Sequence, residues 1–222
     1  MNHASMYNRM YALAVKRGVT ISYKNQSKLM RLLGWLLFFN PKFMSEYTTT
    51  LHKTVYFPSL VFVQEHPDIA WRVLVHEMVH VEDSIALFAP VFGLLYLFPQ
   101  CLAGLSLLAL LGFWFPTMWW FAAFLLCLLP FPAPGRKWAE MRGYGMSIAV
   151  LVWAGYIPDL ESIATQFTGP AYFWMWPFKS QVLAQLQTHV LAAQKHQEQL
   201  VLGSLAAEVD FAIKMERNIG NM

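Results

Sequence analysis

Apolar and polar positions change rhythm several times along the chain. Residues 1–18 mix the two and predict a short helix. Residues 26–39 run from Gln26 through Leu32-Leu33-Gly34-Trp35-Leu36-Leu37-Phe38-Phe39 and predict an apolar helix that stops ahead of Asn40-Pro41. A bilayer crossing takes about 20 apolar residues. This helix is too short for one, and lies in an interface or covers the core. Residues 47–64 are rich in β-branched and aromatic side chains: Tyr47-Thr48-Thr49-Thr50, Thr54-Val55-Tyr56-Phe57 and Leu60-Val61-Phe62-Val63, interrupted at Pro58-Ser59. They predict one or two strands. Pro67-Asp68 then opens a helix running to about Ser84. Proline suits its first turn and aspartate suits the positive end of its dipole.

From Ser84 to Gly135 there are 52 residues without one Asp, Glu, Lys or Arg. That length holds two membrane spans. The turn falls at Pro99-Gln100 or Phe115-Pro116, since either proline can kink a span instead. Arg136 and Lys137 restore charge, as at a membrane interface. Residues 136–156 predict a helix ending before Pro158. An aromatic loop follows, with Phe167, Tyr172, Phe173, Trp174, Trp176 and Phe178 among the breakers Gly169-Pro170 and Pro177. Tyr172 to Lys179 reads as an interfacial anchor, or as a lid. Residues 179–217 predict one long or two shorter amphipathic helices, with Val182, Leu183, Leu186, Val190 and Leu191 on one stripe. Such a stripe packs on its own domain, or on a homo-oligomer or virion partner.

Composition agrees with lipid as the surroundings. Hydrophobic residues make up 57% and charged residues 13%, against about 45–50% and about 25% in an ordinary soluble domain. The net charge of +3 is too small to argue for nucleic acid and suits an anionic membrane surface. Cys101 and Cys127 both lie in the apolar stretch, and neither has a CxxC partner. They read as small buried thiols, not as a disulfide framework or a cysteine metal site. The first 18 residues carry no uninterrupted apolar core of a secretory signal, which puts the polar part on the cytoplasmic face of the membrane.

One motif carries chemistry. His76-Glu77-Met78-Val79-His80 is HExxH. Spacing of i, i+4 sets both imidazoles on one helix face, one turn apart, where they can share a metal. Glu77 beside them can act as general base on water activated by that metal. Composition alone gives about 0.01 such matches in a chain of this length. The surrounding positions Val73-Leu74-Val75 and Met78-Val79 are apolar, so the helix is buried on most sides. A buried carboxylate beside two imidazoles is costly unless something satisfies them. The structural alternative is a pair of core histidines and an ion-paired glutamate.

A catalytic zinc takes three protein ligands and keeps an open position. Four residues compete for the third place: Glu140, Asp83, His52 and His66. Glu140, in Trp138-Ala139-Glu140-Met141-Arg142-Gly143-Tyr144, is favoured. If His76, His80 and Glu140 hold one ion, both ends of the 84–135 segment lie on one side of the membrane. The number of crossings is then even, which agrees with two spans. Asp83, three after His80, reaches the metal or only orients an imidazole. His52 and His66 read as strand or surface histidines, and His189 and His196 as solvated. Tyr144, one turn after Glu140, can donate to an oxyanion or serve structure alone. Arg142 can pair with Glu82 or Asp83, or meet lipid phosphate.

HExxH with a downstream glutamate on a second helix resembles the gluzincin branch of zinc metallopeptidases. The order of HExxH, apolar hairpin and glutamate helix is similar to the membrane-integrated gluzincins, the group of bacterial heat-shock and CAAX-prenyl proteases. The resemblance covers about residues 47–156. Two departures stand out: Tyr144 replaces the aspartate of that group's ExxxD pattern, and no transmembrane pair precedes HExxH. HExxH, the hairpin, Glu-x-x-Gly-Tyr and Phe-Thr-Gly-Pro-Ala-Tyr together also look like uncharacterised zincin-like phage proteins, which implies a virion component inserting into a host membrane.

The fold class expected is mostly α (α+β): a zincin-like domain with a small β-sheet, built from residues 1–83 and 136–222, with a transmembrane hairpin over 84–135. The function expected is that of a membrane-anchored zinc metallopeptidase cutting a peptide or protein, with Zn2+ on His76, His80 and Glu140, and Glu77 and Tyr144 as its catalytic groups. The alternative is a membrane-active structural protein whose metal site is structural or degenerate.

Overall fold

The computed structural model describes residues 2–38, 40–195 and 198–220. Phe39 and His196 therefore lie outside the described residues. Helix makes up 73% of the chain, with one three-stranded sheet. The chain forms two compact units, both discontinuous in sequence.

One unit takes in the described parts of Met1–Leu87, Arg142–Pro158 and Thr188–Met222. Its first helix, α1 (His3–Lys16), starts where the Asn2 side chain accepts the N–H groups of Ala4 and Ser5. Strand β1 (Thr20–Tyr23) and helix α2 (Lys28–Leu36) follow, then β2 (Thr49–Leu51) and β3 (Thr54–Phe57). The sheet order is β1-β3-β2, with β1 parallel and β2 antiparallel to β3. Two short helices were to be strand or loop by sequence. Leu60-Val61-Phe62-Val63 belongs to α3 (Leu60–Glu65), because Ser59 caps it by accepting from Phe62 N–H at 3.0 Å. Capping here outweighs β-propensity, which depends on sheet context. Helix α4 (Pro67–Ala86) opens with Pro67 and Asp68, as expected. Met6, Met10, Val55, Phe57, Trp71, Leu74, Val75, Met78, Met146 and Val150 form the core around it.

The other unit takes in Phe88–Met141 and Asp159–Gln187. It holds α5 (Ala89–Leu97), two 3-10 arms (Gln100–Phe113 and Pro116–Leu128), the start of α6 (Pro134–Trp153), α7 (Leu160–Thr168) and most of α8 (Lys179–Gln194). The second misread helix is α7, lying where a loop is expected; Asp159 caps it by accepting from Ser162 N–H at 3.0 Å. Both Pro99 and Pro116 break the uncharged segment, so it divides into three pieces instead of two long helices. Proline removes a helix donor and clashes with the preceding turn. Among the described residues no single helix is long and apolar enough to cross a membrane. Helices α4 and α5 reach that length and apolarity only as a broken pair. The two arms pack on each other, and the bend between them exposes Phe113, Trp114 and Phe115, with Trp120 82% exposed.

The aromatic loop packs within this unit. Met175 is buried and accepts at its carbonyl from Ala133 N–H, at 2.9 Å. The Lys137 ammonium sits 4.2 Å from the Trp176 ring centre, and Lys179 pairs with Glu161 at 2.5 Å. Val182 and Leu186 of the C-terminal stripe are buried, while Leu191 is exposed. The last helix, α9 (Glu198–Gly220), is broken at Gly203, whose φ of 59° is the left-handed conformation that glycine adopts freely. Glu216 returns α9 to α1, accepting from Ser5 Oγ and Arg9 Nε at 2.9 Å each.

Candidate metal centre

Two helices carry the site. Helix α4 presents His76, Glu77 and His80, all buried. Helix α6 runs unbroken from Pro134 to Trp153 and presents Glu140, Gly143, Tyr144 and Ser147 at spacings of three and four, which share one helical face. The ligand atoms of His76, His80 and Glu140 all lie within 4.8 Å of one another. Among the described residues these three form the one group of this kind. The two Nε2 atoms of His76 and His80 are 3.1 Å apart. Tetrahedral ligands about 2.0–2.1 Å from a zinc would be roughly 3.3 Å apart, so the imidazole pair has the spacing for a small divalent cation, with Glu140 within 4.8 Å of both.

Four contacts surround the candidate ligands. Ser147 Oγ donates to the Gly143 carbonyl at 3.2 Å, so it can accept from His76 Nδ1–H, also at 3.2 Å. That assignment leaves the lone pair on His76 Nε2, the nitrogen facing His80, as metal ligation requires. The Tyr144 ring meets the His76 ring edge-on, with centroids 4.9 Å apart. Gly143 allows α6 to approach: a Cβ there would lie 2.6 Å from His76 Nε2. On the carboxylate side, Tyr96 Oη donates to Glu140 Oε1 at 2.5 Å.

Glu77 stands beside the donors, and Thr50 Oγ1 of β2 donates to its Oε2 at 2.6 Å. Lys24 is also within electrostatic reach of Glu77. Lys24 is fully buried; its Nζ donates to the Phe43 carbonyl at 2.6 Å and lies 3.8 Å from the Phe43 ring centre. Burial lowers its pKa to about 8, against a smaller opposing effect of the Glu77 carboxylate.

The other ligand candidates sit elsewhere. Arg142 Nε donates to both oxygens of Asp83, at 3.0 and 3.1 Å, and clamps α6 to α4 one turn beyond His80. Glu82 pairs with Arg17 instead. His52 is exposed at the β2–β3 turn with φ 51°, and His66 is exposed at the start of α4. Ten residues of helix separate His66 from His76, about 15 Å. His189 is half-buried rather than solvated, its ring against Gly145, where a Cβ would lie 2.8 Å from Nδ1.

Sequence reasoning missed Gly143, Ser147, Thr50, Lys24 and Tyr96. Gly143 and Ser147 carry a signal, since i+3 and i+7 from Glu140 put them on its face. The other three depend on tertiary pairing. No family model matches the chain, and no curated protein and no solved structure matches it either.

Proposed function

We propose that the protein is a membrane-anchored zinc-dependent hydrolase of peptides, a zincin-like domain carrying an apolar hairpin. The observation that carries this reading is the convergence of His76, His80 and Glu140 within 4.8 Å, beside a buried Glu77. Two imidazoles and a carboxylate suit zinc. A zinc ion in this position would polarise a scissile carbonyl and lower the pKa of an attacking water. The chain supplies the rest. Thr50 holds Glu77 Oε2, which leaves Oε1 to take the water's proton and pass it to the leaving amine. Ser147 keeps His76 in its ligating tautomer, and Tyr144 lies beside the donors as a further hydrogen-bond group for developing negative charge.

The anchoring part rests on the 52-residue uncharged segment and its exposed aromatic bend. A 3-10 helix rises about 2.0 Å per residue, so arms of 14 and 13 residues are roughly 26–28 Å long, close to the hydrocarbon thickness of about 30 Å. The same segment supports a second reading, a membrane-active structural protein in which the metal only ties α4 to α6.

Metal analysis of detergent-purified protein separates the outcomes. Wild type should hold about one zinc per chain, and His80→Ala and Glu140→Ala should both lose it. Glu77→Gln should keep the metal and lose at least about 100-fold in peptide hydrolysis. Zinc held by the wild type without any peptide hydrolysis supports the structural reading. No metal in the wild type sinks the hydrolase reading and leaves the apolar segment as the main function.

A further inference from the structure

Helix α5 belongs to the uncharged segment, and its sequence, Ala-Pro-Val-Phe-Gly-Leu-Leu-Tyr-Leu, has one polar side-chain group, the phenol of Tyr96. That phenol reaches the buried Glu140 carboxylate at 2.5 Å. A short bond of this kind is the charge-assisted type, stronger than one between neutral groups.

Tyr96 is itself held from several directions within its unit. Gly135, at the start of α6, faces the backbone of α5: a Cβ there would lie 2.2 Å from the Leu95 carbonyl oxygen, so glycine is what allows the two backbones this close. Arg136 Nε donates to the Tyr96 carbonyl at 3.1 Å, and its guanidinium lies 5.3 Å from the Tyr96 ring centre. The same guanidinium donates to Gln100 Oε1 at 3.2 Å. Ring and backbone are fixed, so the direction of the hydroxyl is fixed as well. A bond on Oε1 sets the rotation of the Glu140 carboxylate and hence where Oε2 points.

We propose that Tyr96 is the positioning residue of the metal's carboxylate ligand, and that through it the apolar segment sets the metal affinity. The inference rests on the reading of His76, His80 and Glu140 as a metal centre. Partners that orient metal ligands are worth about 10–100-fold in metal affinity. Tyr96→Phe keeps the ring beneath Arg136 and removes only the donor.

The test is competition for Zn2+ against a chromophoric chelator, with the full chain in detergent, for wild type, Y96F, E140A, Y96F/E140A and Leu94→Ala. Leu94→Ala changes an exposed side chain of the same helix. Y96F should weaken zinc binding about 10–100-fold, while Leu94→Ala binds as wild type. The double variant should be no weaker than E140A, because the phenol acts only through that carboxylate. The visible absorption of Co2+-loaded Y96F should differ from that of wild type, a change of ligand geometry that a packing role would not produce. Tyr96→His, which restores a ring donor, should recover part of the affinity, and serves the same comparison if Y96F does not fold.

Equal zinc affinity and equal cobalt spectra in Y96F and wild type overturn the inference while leaving the metal centre intact. A double variant much weaker than E140A overturns it too. A wild type that binds no zinc overturns both the inference and the metal centre. Zinc bound in this pattern without hydrolysis removes the hydrolase reading and leaves Tyr96 in its role.

Discussion

At the scale of single residues, two positions near the centre lead to opposite kinds of prediction. Gly143→Ala would place a Cβ 2.6 Å from His76 Nε2, so the imidazole must move. In a helix interior, alanine is better than glycine by about 1 kcal/mol, and overpacking costs about 1–3 kcal/mol. The two nearly offset, so the melting temperature of the metal-free protein should shift by only a few degrees. Zinc affinity should fall at least about tenfold, because ligand geometry has no such offset. Calorimetry and chelator competition on one preparation check both halves. Lys24 is the other position. Its folded pKa of about 8 lies below the ordinary 10.5 because the ammonium is buried. Between those values the unfolded chain binds the proton and the folded chain does not, so stability rises with pH over about 8 to 10.5. Full development of that shift is worth about 3 kcal/mol. Lys24→Met, of similar shape and no charge, should lack this rise and be the more stable protein at pH 7. Denaturant unfolding of both proteins at pH 7.5, 8.5 and 9.5 measures the difference, and parallel pH profiles would refute the assignment.

At the scale of elements, what the sequence made legible was what local chemistry specifies. Helix α4 carries its start in Pro67-Asp68 and its buried character in an almost unbroken apolar run, and it was readable nearly end to end. The α6 helix was readable from the return of charge at Arg136 and Lys137 and from the break at Pro158, although it ends at Trp153. Strand β1 was not: Thr20-Ile21-Ser22-Tyr23 is too short to show a period, and its parallel partner β3 lies more than thirty residues on. Helices α3 and α7 were misread for a different reason. Their side chains favour strand or loop, and single capping residues, Ser59 and Asp159, decide the outcome. Within the candidate site, HExxH was visible because two imidazoles and a carboxylate share one helix. The hydrogen bonds that hold these side chains come from β2, α5 and the same face of α6 two turns beyond Glu140. No spacing rule connects Tyr96 to Glu140 or Thr50 to Glu77.

At the scale of the molecule, the proposed ligand set would constrain how the chain meets a bilayer. His76 and His80 precede the uncharged segment and Glu140 follows it. If these three hold one ion, a segment that enters a membrane must leave and return on the same side, because one ion cannot bind residues on opposite faces. Tyr96 adds to this: its bond to Glu140 ties α5 to the carboxylate, so under the proposed reading the two 3-10 arms are the part that would insert. Their bend carries Phe113, Trp114 and Phe115, with Trp119 and Trp120 close after it, the aromatic composition found at membrane interfaces. Arms of roughly 26–28 Å would bring that bend to the opposite headgroup layer. Single cysteines test this in sealed vesicles with a membrane-impermeant maleimide, after Cys101 and Cys127 are replaced by serine. Lys53→Cys, at the β2–β3 turn, and Trp138→Cys, two residues before Glu140, should label from the same side. Phe115→Cys should label only from the other. Labelling of Lys53→Cys and Trp138→Cys from opposite sides would break the metal centre as a unit, whatever the zinc content. Labelling of all three from one side would keep the centre and make the arms a re-entrant loop, because an even number of crossings includes none.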